Sequence, residues 1–147
     1  MTDLRELYQQ TILDHHRRPR NYRPLADANR SAEGFNPLCG DQVTLALRVE
    51  DGVIRDAAFQ GSGCAIARAA ASMLTGSVIG LRQAEAEDLF HRVHAMLTGE
   101  ANGAAGLGKL AVFAGVREFP SRIKCVTLAW HTLRAALAGA AAPVSTE

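Results

Sequence analysis

Three cysteines are the residues of this sequence best suited to chemistry. Cys39 lies in Pro37-Leu38-Cys39-Gly40-Asp41, Cys64 follows Gly61-Ser62-Gly63, and Cys125 ends Arg122-Ile123-Lys124-Cys125. As thiolates they are nucleophiles and soft metal ligands. Asp41, two residues after Cys39, brings one hard oxygen to the three sulfurs, which makes the four ligands that tetrahedral Zn²⁺ prefers. Such a set carries surplus negative charge, and Arg122 and Lys124 stand close enough in sequence to offset it. The spacings match no zinc-finger pattern, so a second reading stands beside the first. Cysteines of this kind are also small buried hydrophobes, and Asp41 after Gly40 also fits a plain turn or strand start. His15, His16, His91, His94 and His131 have no paired spacing with a cysteine and read as surface or satisfied histidines.

The elements around these residues put all three thiols at element ends. Leu4, Leu7, Tyr8, Thr11 and Ile12 recur at helical spacing, which predicts a helix over Asp3 to His16 that stops before Pro19. Residues 20–37 read as loop, with a short strand near Ala32 to Phe35. Val43, Leu45, Leu47 and Val49 alternate with Thr44, Ala46, Arg48 and Glu50, the period of a half-buried strand. Val53 to Gln60 reads as its hairpin partner. A three-residue loop with Gly52 in the left-handed region is expected, pairing Val49 with Val53, Leu45 with Ala57 and Val43 with Phe59.

A helix is predicted from just after Cys64 to Ile79 and another over Ala84 to Leu97. Glycine-rich Gly99 to Gly108 reads as an exposed loop, followed by a short helix at Lys109 to Gly115. The last helix is expected after Phe119-Pro120-Ser121, with Ser121 as its cap, Cys125 in its first turn and Trp130 in the core. Two cysteines would then lie at helix N-termini, where free N–H groups favour thiolate. The order is that of an α+β domain, with a small antiparallel β-sheet of about three strands packed against helices.

A chain of 147 residues has the size of one domain, 1–147, with a flexible tail from about 138. Sixteen Lys+Arg against fifteen Asp+Glu give a formal charge of +1, so neither nucleic acid nor an anionic membrane is an expected partner. The first residues lack the apolar core of a signal peptide and no apolar run is long enough for a membrane span, which leads to the expectation of a cytoplasmic protein with reduced thiols.

LYQQTILDHHRRPRN, NPLCGD, FQGSGCAIARAAASML and FPSRIKCVTLAW, in this order, resemble segments of the IscU/NifU-type iron–sulfur assembly proteins. Lys124 before the third cysteine, where IscU-like scaffolds carry histidine, and the stretch Gly99 to Gly115 resemble the SufU branch. The resemblance implies the family's small sheet packed on helices and a zinc site made by Cys39, Asp41, Cys64 and Cys125. It further implies a sulfur acceptor, with Cys39 taking persulfide sulfur from a pyridoxal-phosphate cysteine desulfurase of SufS type and Arg122 and Lys124 as charge support. Sulfur would then pass to downstream SUF assembly proteins. On that view the chain activates a desulfurase rather than acting as a self-sufficient enzyme. The alternative within the same family is a scaffold that assembles a [2Fe–2S] cluster on the same residues. Ala65, Ala67 and Ala70 stand where relatives often have serines, which removes hydroxyls that would bond the thiolates.

Overall fold

The hairpin that leads to Cys64 is built from β2 (Asp41–Glu50) and β3 (Val53–Ser62). Its turn holds only Asp51 and Gly52, both at positive φ (54° and 74°), the twist-matched two-residue geometry. The expected three-residue loop is therefore corrected: Glu50 pairs with Val53 and Val49 with Ile54. Carried through, that register would set Leu47 against Asp56. A bulge at Arg55 shifts it by one, so that Leu47 pairs with Ala57, Leu45 with Phe59 and Val43 with Gly61. Ile54 and Ala57, three residues apart, are thereby both fully buried.

The computed structural model describes residues 4–37, 40–98, 107–139 and 144–145. Cys39 and most of the Gly99 to Gly108 stretch lie outside the described residues. β1 (Arg30–Asn36) is longer than the short strand expected and pairs antiparallel with β2, and Val144–Ser145 (β4) adds two parallel pairs on its other side, giving the order β3-β2-β1-β4. The buried positions of β1 are Ala32, Gly34 and Asn36. Small and polar residues hide a strand's alternation from a hydrophobicity pattern. They serve packing here: a methyl at Gly34 would run into Oγ1 of buried Thr132, so the glycine lets the last helix lie close on the sheet.

That helix, α4 (Pro120–Ala138), and α2 (Ala65–Val78) pack together and against the inner sheet face, while α1 (Leu4–Arg17) covers α2. α3 (Gln83–Leu97) turns Ala86, Phe90, Val93, Met96 and Leu97 inward, and the expected short helix is an extended 3₁₀ segment, Gly108–Glu118, joining α1, α3 and α4. Trp130 is buried in the core as expected. Two expectations for α4 are corrected. Its N-cap is Phe119, with Pro120 at the first helical position where a missing N–H costs nothing, and Ser121 lies exposed inside the first turn. Cys125 is consequently the sixth helical residue, in the second turn rather than the first, beyond the free N–H groups of the helix end.

Candidate metal centre

β2 begins beside the end of β3, with Gln42 opposite Ser62, so its first residue, Asp41, is brought next to the Gly63-Cys64 step that opens α2. α4 crosses α2 and presents Cys125. The ligand atoms of Asp41, Cys64 and Cys125 lie within 4.8 Å of one another. Asp41 and Cys125 are fully buried and Cys64 is half-buried, so the group has one open side.

Each member is held in place. Cys64 is the N-cap of α2: its Sγ accepts the N–H of Ala67 at 3.4 Å, the job an oxygen does at most caps. The backbone N–H of Cys64 donates to Oδ1 of Asp41 at 2.8 Å, leaving Oδ2 turned to the Cys64 sulfur at 3.8 Å. Gly63 makes this approach possible, since a Cβ there would stand 2.7 Å from Oδ1.

Hydrogen bonding from Cys125 lowers the Cys64 pKa from 9.0 to about 6, aided by the N–H groups of Ala67 and Ile66, while burial and the nearby Asp41 carboxylate oppose the shift. As a thiol, Cys64 would make a long S–H···O contact to Asp41. With a pKa of about 6 the thiolate prevails at neutral pH, and the contact is then between two hydrogen-bond acceptors. A shared cation resolves that repulsion, and two soft sulfurs with one carboxylate form a donor set that fits a thiophilic metal ion.

Cys39, the remaining ligand expected from the sequence, lies outside the described residues. Its flanks do not: Asn36 pairs with Asp41, and Gly40, at φ 72°, donates its N–H to the Asn36 carbonyl at 2.9 Å. Asn36 and Gly40, which flank that stretch, are therefore both tied close to Asp41. Arg122 sits one helical turn before Cys125, and its charge acts on the phenol of Tyr8 together with those of Cys64 and Cys125. Lys124, half-buried, is rotated about 100° from Cys125 around the helix. Tyr8 and Gly63 were not singled out by sequence reasoning. Tyr8 read as one more apolar position of an amphipathic helix, and only the glycines flanking Cys64 hinted at a close approach. Two clefts of about 540 Å³ and 620 Å³, along α3–α4 and between α3 and the 3₁₀ segment, contain none of these residues among their linings, and a metal site needs donor atoms rather than volume.

Residues 7–139 match the family model described as NifU-like N terminal domain. The chain belongs to that family. It is 39% identical over 131 residues to the iron–sulfur cluster assembly scaffold protein IscU of Thermotoga maritima, covering 89% of this chain and 92% of the relative. It is 36% identical over 137 residues to the zinc-dependent sulfurtransferase SufU of Bacillus subtilis, covering 92% of each. A crystal structure of a SUF-system scaffold protein from Fervidobacterium islandicum superposes with a TM-score of 0.82 at 32% identity, over 89% of this chain and 96% of the other. The α+β fold expected from the sequence is that of these relatives. IscU-named and SufU-named members match about equally well, so the family is fixed and the branch is not. No helix among the described residues is long and apolar enough to cross a membrane.

Proposed function

We propose that this chain is a sulfur acceptor in iron–sulfur cluster assembly, taking persulfide sulfur from a pyridoxal-phosphate cysteine desulfurase onto Cys39. The observation that carries this reading is the convergence of Asp41, Cys64 and Cys125 within 4.8 Å, with Asp41 only two residues after Cys39 in the sequence. Cys39, Asp41, Cys64 and Cys125 would hold Zn²⁺, which keeps sulfur ligands as thiolates without redox chemistry of its own. The SufU-named relative, described as zinc-dependent, supports the choice of metal. Lys124 supports it too, because an amine at this place offers no imidazole to a cluster.

The chain's own residues divide the work. Cys64 caps α2 and Cys125 lies within α4, so both are anchored, and Cys39, beside Gly40 in the sequence, is the nucleophile. Its thiolate attacks the terminal sulfur of the desulfurase persulfide. The S–S bond breaks, the enzyme's cysteine leaves as thiolate, and the new persulfide stays on Cys39. Asp41, oriented by the Cys64 N–H, holds the centre's hard-oxygen position. Arg122 offsets the charge of the incoming persulfide, and Lys124 adds positive charge at the start of α4. The persulfide would then serve downstream assembly proteins.

A second reading is favoured by the IscU-named relatives: a scaffold that receives iron and sulfide as cargo and builds a [2Fe–2S] cluster on the same ligands. Desulfurase turnover, followed by alanine release with metal-quantified protein, separates the two. Stimulation by the zinc-loaded parent, lost in Cys39→Ser, is the expected result. Absence of stimulation, with a visible absorbance band forming under iron and sulfide, would replace the acceptor by the scaffold.

A further inference from the structure

The ring of Phe90 on α3, 5% exposed, is surrounded by basic side chains from two helices. From α4, the guanidinium of Arg134 lies over its face, 5.1 Å from the centroid, and the His131 ring meets it edge to face at 5.3 Å. From α3 itself, His91 stands edge to face at 5.4 Å and His94 stacks at 6.1 Å. One carboxylate is paired with this cluster. Oε1 of Glu87 accepts Nε–H of Arg134 at 2.7 Å and lies 3.6 Å from Nε2 of His91. Glu87, His131 and Arg134 also line the cleft of about 540 Å³ along α3–α4, which gives water a route to His131.

Arg134 and Glu87 already balance one another. Histidine side chains take up charge as pH falls from about 8 to 5, so acid adds positive charge to this seam and no further carboxylate. The three histidines are not equivalent. His91 is exposed and has Glu87 beside it, and His94 is exposed and lies over the Phe90 face, an arrangement that a cation keeps. His131 has neither advantage. It is half-buried, and burial first, then His94 and Arg134, oppose its charged form and hold its pKa below 6.5. No group of α2, the sheet or the 3₁₀ segment is among those acting on it.

We propose that the α3–α4 seam is an acid-sensitive clasp, in which protonation of His131 beside Arg134 and His94 releases α3 from α4. The proposal is independent of the metal-centre reading. In the unfolded chain His131 takes its proton near 6.5, so the stability that its neutral form contributes is lost as pH falls through 6.5 toward the lower folded-state value. α3 rests otherwise on the 3₁₀ segment, whereas β2, α2 and α4, which carry Asp41, Cys64 and Cys125, hold one another. Opening the clasp therefore uncovers Phe90, Val93, Met96 and Leu97 and leaves the rest of the fold in place.

The test uses the full-length protein with a chelator present, so that metal release adds nothing to the signal. Hydrogen exchange of the segment Gln83–Leu97 is followed by mass spectrometry from about pH 7.5 to 5, corrected for the intrinsic exchange rate, with α2 as internal reference. In the parent, α3 loses protection by about 10-fold across this range while α2 keeps its own. His131→Gln, which keeps a polar side chain but takes no proton, retains its α3 protection. His94→Gln removes one of the like charges and moves the loss to lower pH. Three results each overturn the inference: α3 protection that does not change with pH, an equal loss in the parent and His131→Gln, or a simultaneous loss in α2. If His131→Gln does not fold, His94→Gln decides, and an onset unmoved from that of the parent refutes the clasp.

Discussion

Gly63 lies against the carboxylate of Asp41 so closely that a methyl group on its α-carbon would stand 2.7 Å from Oδ1 and 3.1 Å from Cγ. The same oxygen accepts the Cys64 N–H, so the glycine, the carboxylate and the helix N-cap form one unit. Gly63→Ala must push the Asp41 side chain or the start of α2 aside. Overpacking of this kind costs about 1–3 kcal/mol. Urea denaturation of the metal-free protein is expected to show that loss, and chelator competition a weaker hold on Zn²⁺. Unchanged values in both would mean that Asp41 has room to move.

The depressed pKa of Cys64 has a measurable signature. In metal-free protein its alkylation by iodoacetamide, located by mass spectrometry, should reach half its maximal rate near pH 6 rather than near 9.0. The same shift enters stability. A folded-state pKa below the unfolded value contributes stability that is complete above pH 9.0 and lost as pH falls through about 6. Cys64→Ala should flatten that part of the stability profile. Half-maximal alkylation near pH 9 would remove the thiolate from the site.

What the sequence made legible follows from what each signal measures. Helices α1 to α4 and the hairpin were readable because their apolar residues repeat with the helix or strand period, and Cys64 was correctly placed at a helix start. β1 was read too short because its inner face is Ala32, Gly34 and Asn36, chosen for the close approach of α4 rather than for hydrophobicity. The hairpin register was missed because a bulge at Arg55 leaves no compositional mark. In the site, residue types gave Asp41, Cys64 and Cys125. The contribution of Gly63 comes from long-range packing, which no local pattern carries.

The histidines had read as surface or satisfied groups, and one of them belongs to a buried polar knot. Nδ1 of His15 lies 2.7 Å from Oγ of fully buried Ser72, which also accepts the N–H of Arg20 at 2.8 Å. Beside it, Asn21 donates to Thr75 Oγ1 at 3.1 Å while its carbonyl accepts the N–H of Phe59 at 3.0 Å. The segment from His15 to Asn21 thus ties α1 to α2 and β3. Ser72→Ala strands the Arg20 N–H and is expected to cost about 1–3 kcal/mol. A loss below a few tenths of a kcal/mol in urea melts would show that water replaces the hydroxyl.

Metal binding should appear as stability, because a ligand that binds only the folded state stabilises it by mass action. Free Zn²⁺ at 100 times its dissociation constant contributes about 2.7 kcal/mol. For a domain of this size that raises Tm by roughly 10 °C. The increment, Tm with Zn²⁺ minus Tm with chelator, is the quantity to compare between variants, since it cancels any direct effect of a substitution on the fold. Cys64→Ser and Cys125→Ser should each lose most of it, the first by removing the half-exposed thiolate and the second a fully buried one. Lys124→Ala, rotated away from Cys125, should keep nearly all of it. Retention of the full increment in either cysteine variant would place the bound ion elsewhere on the chain.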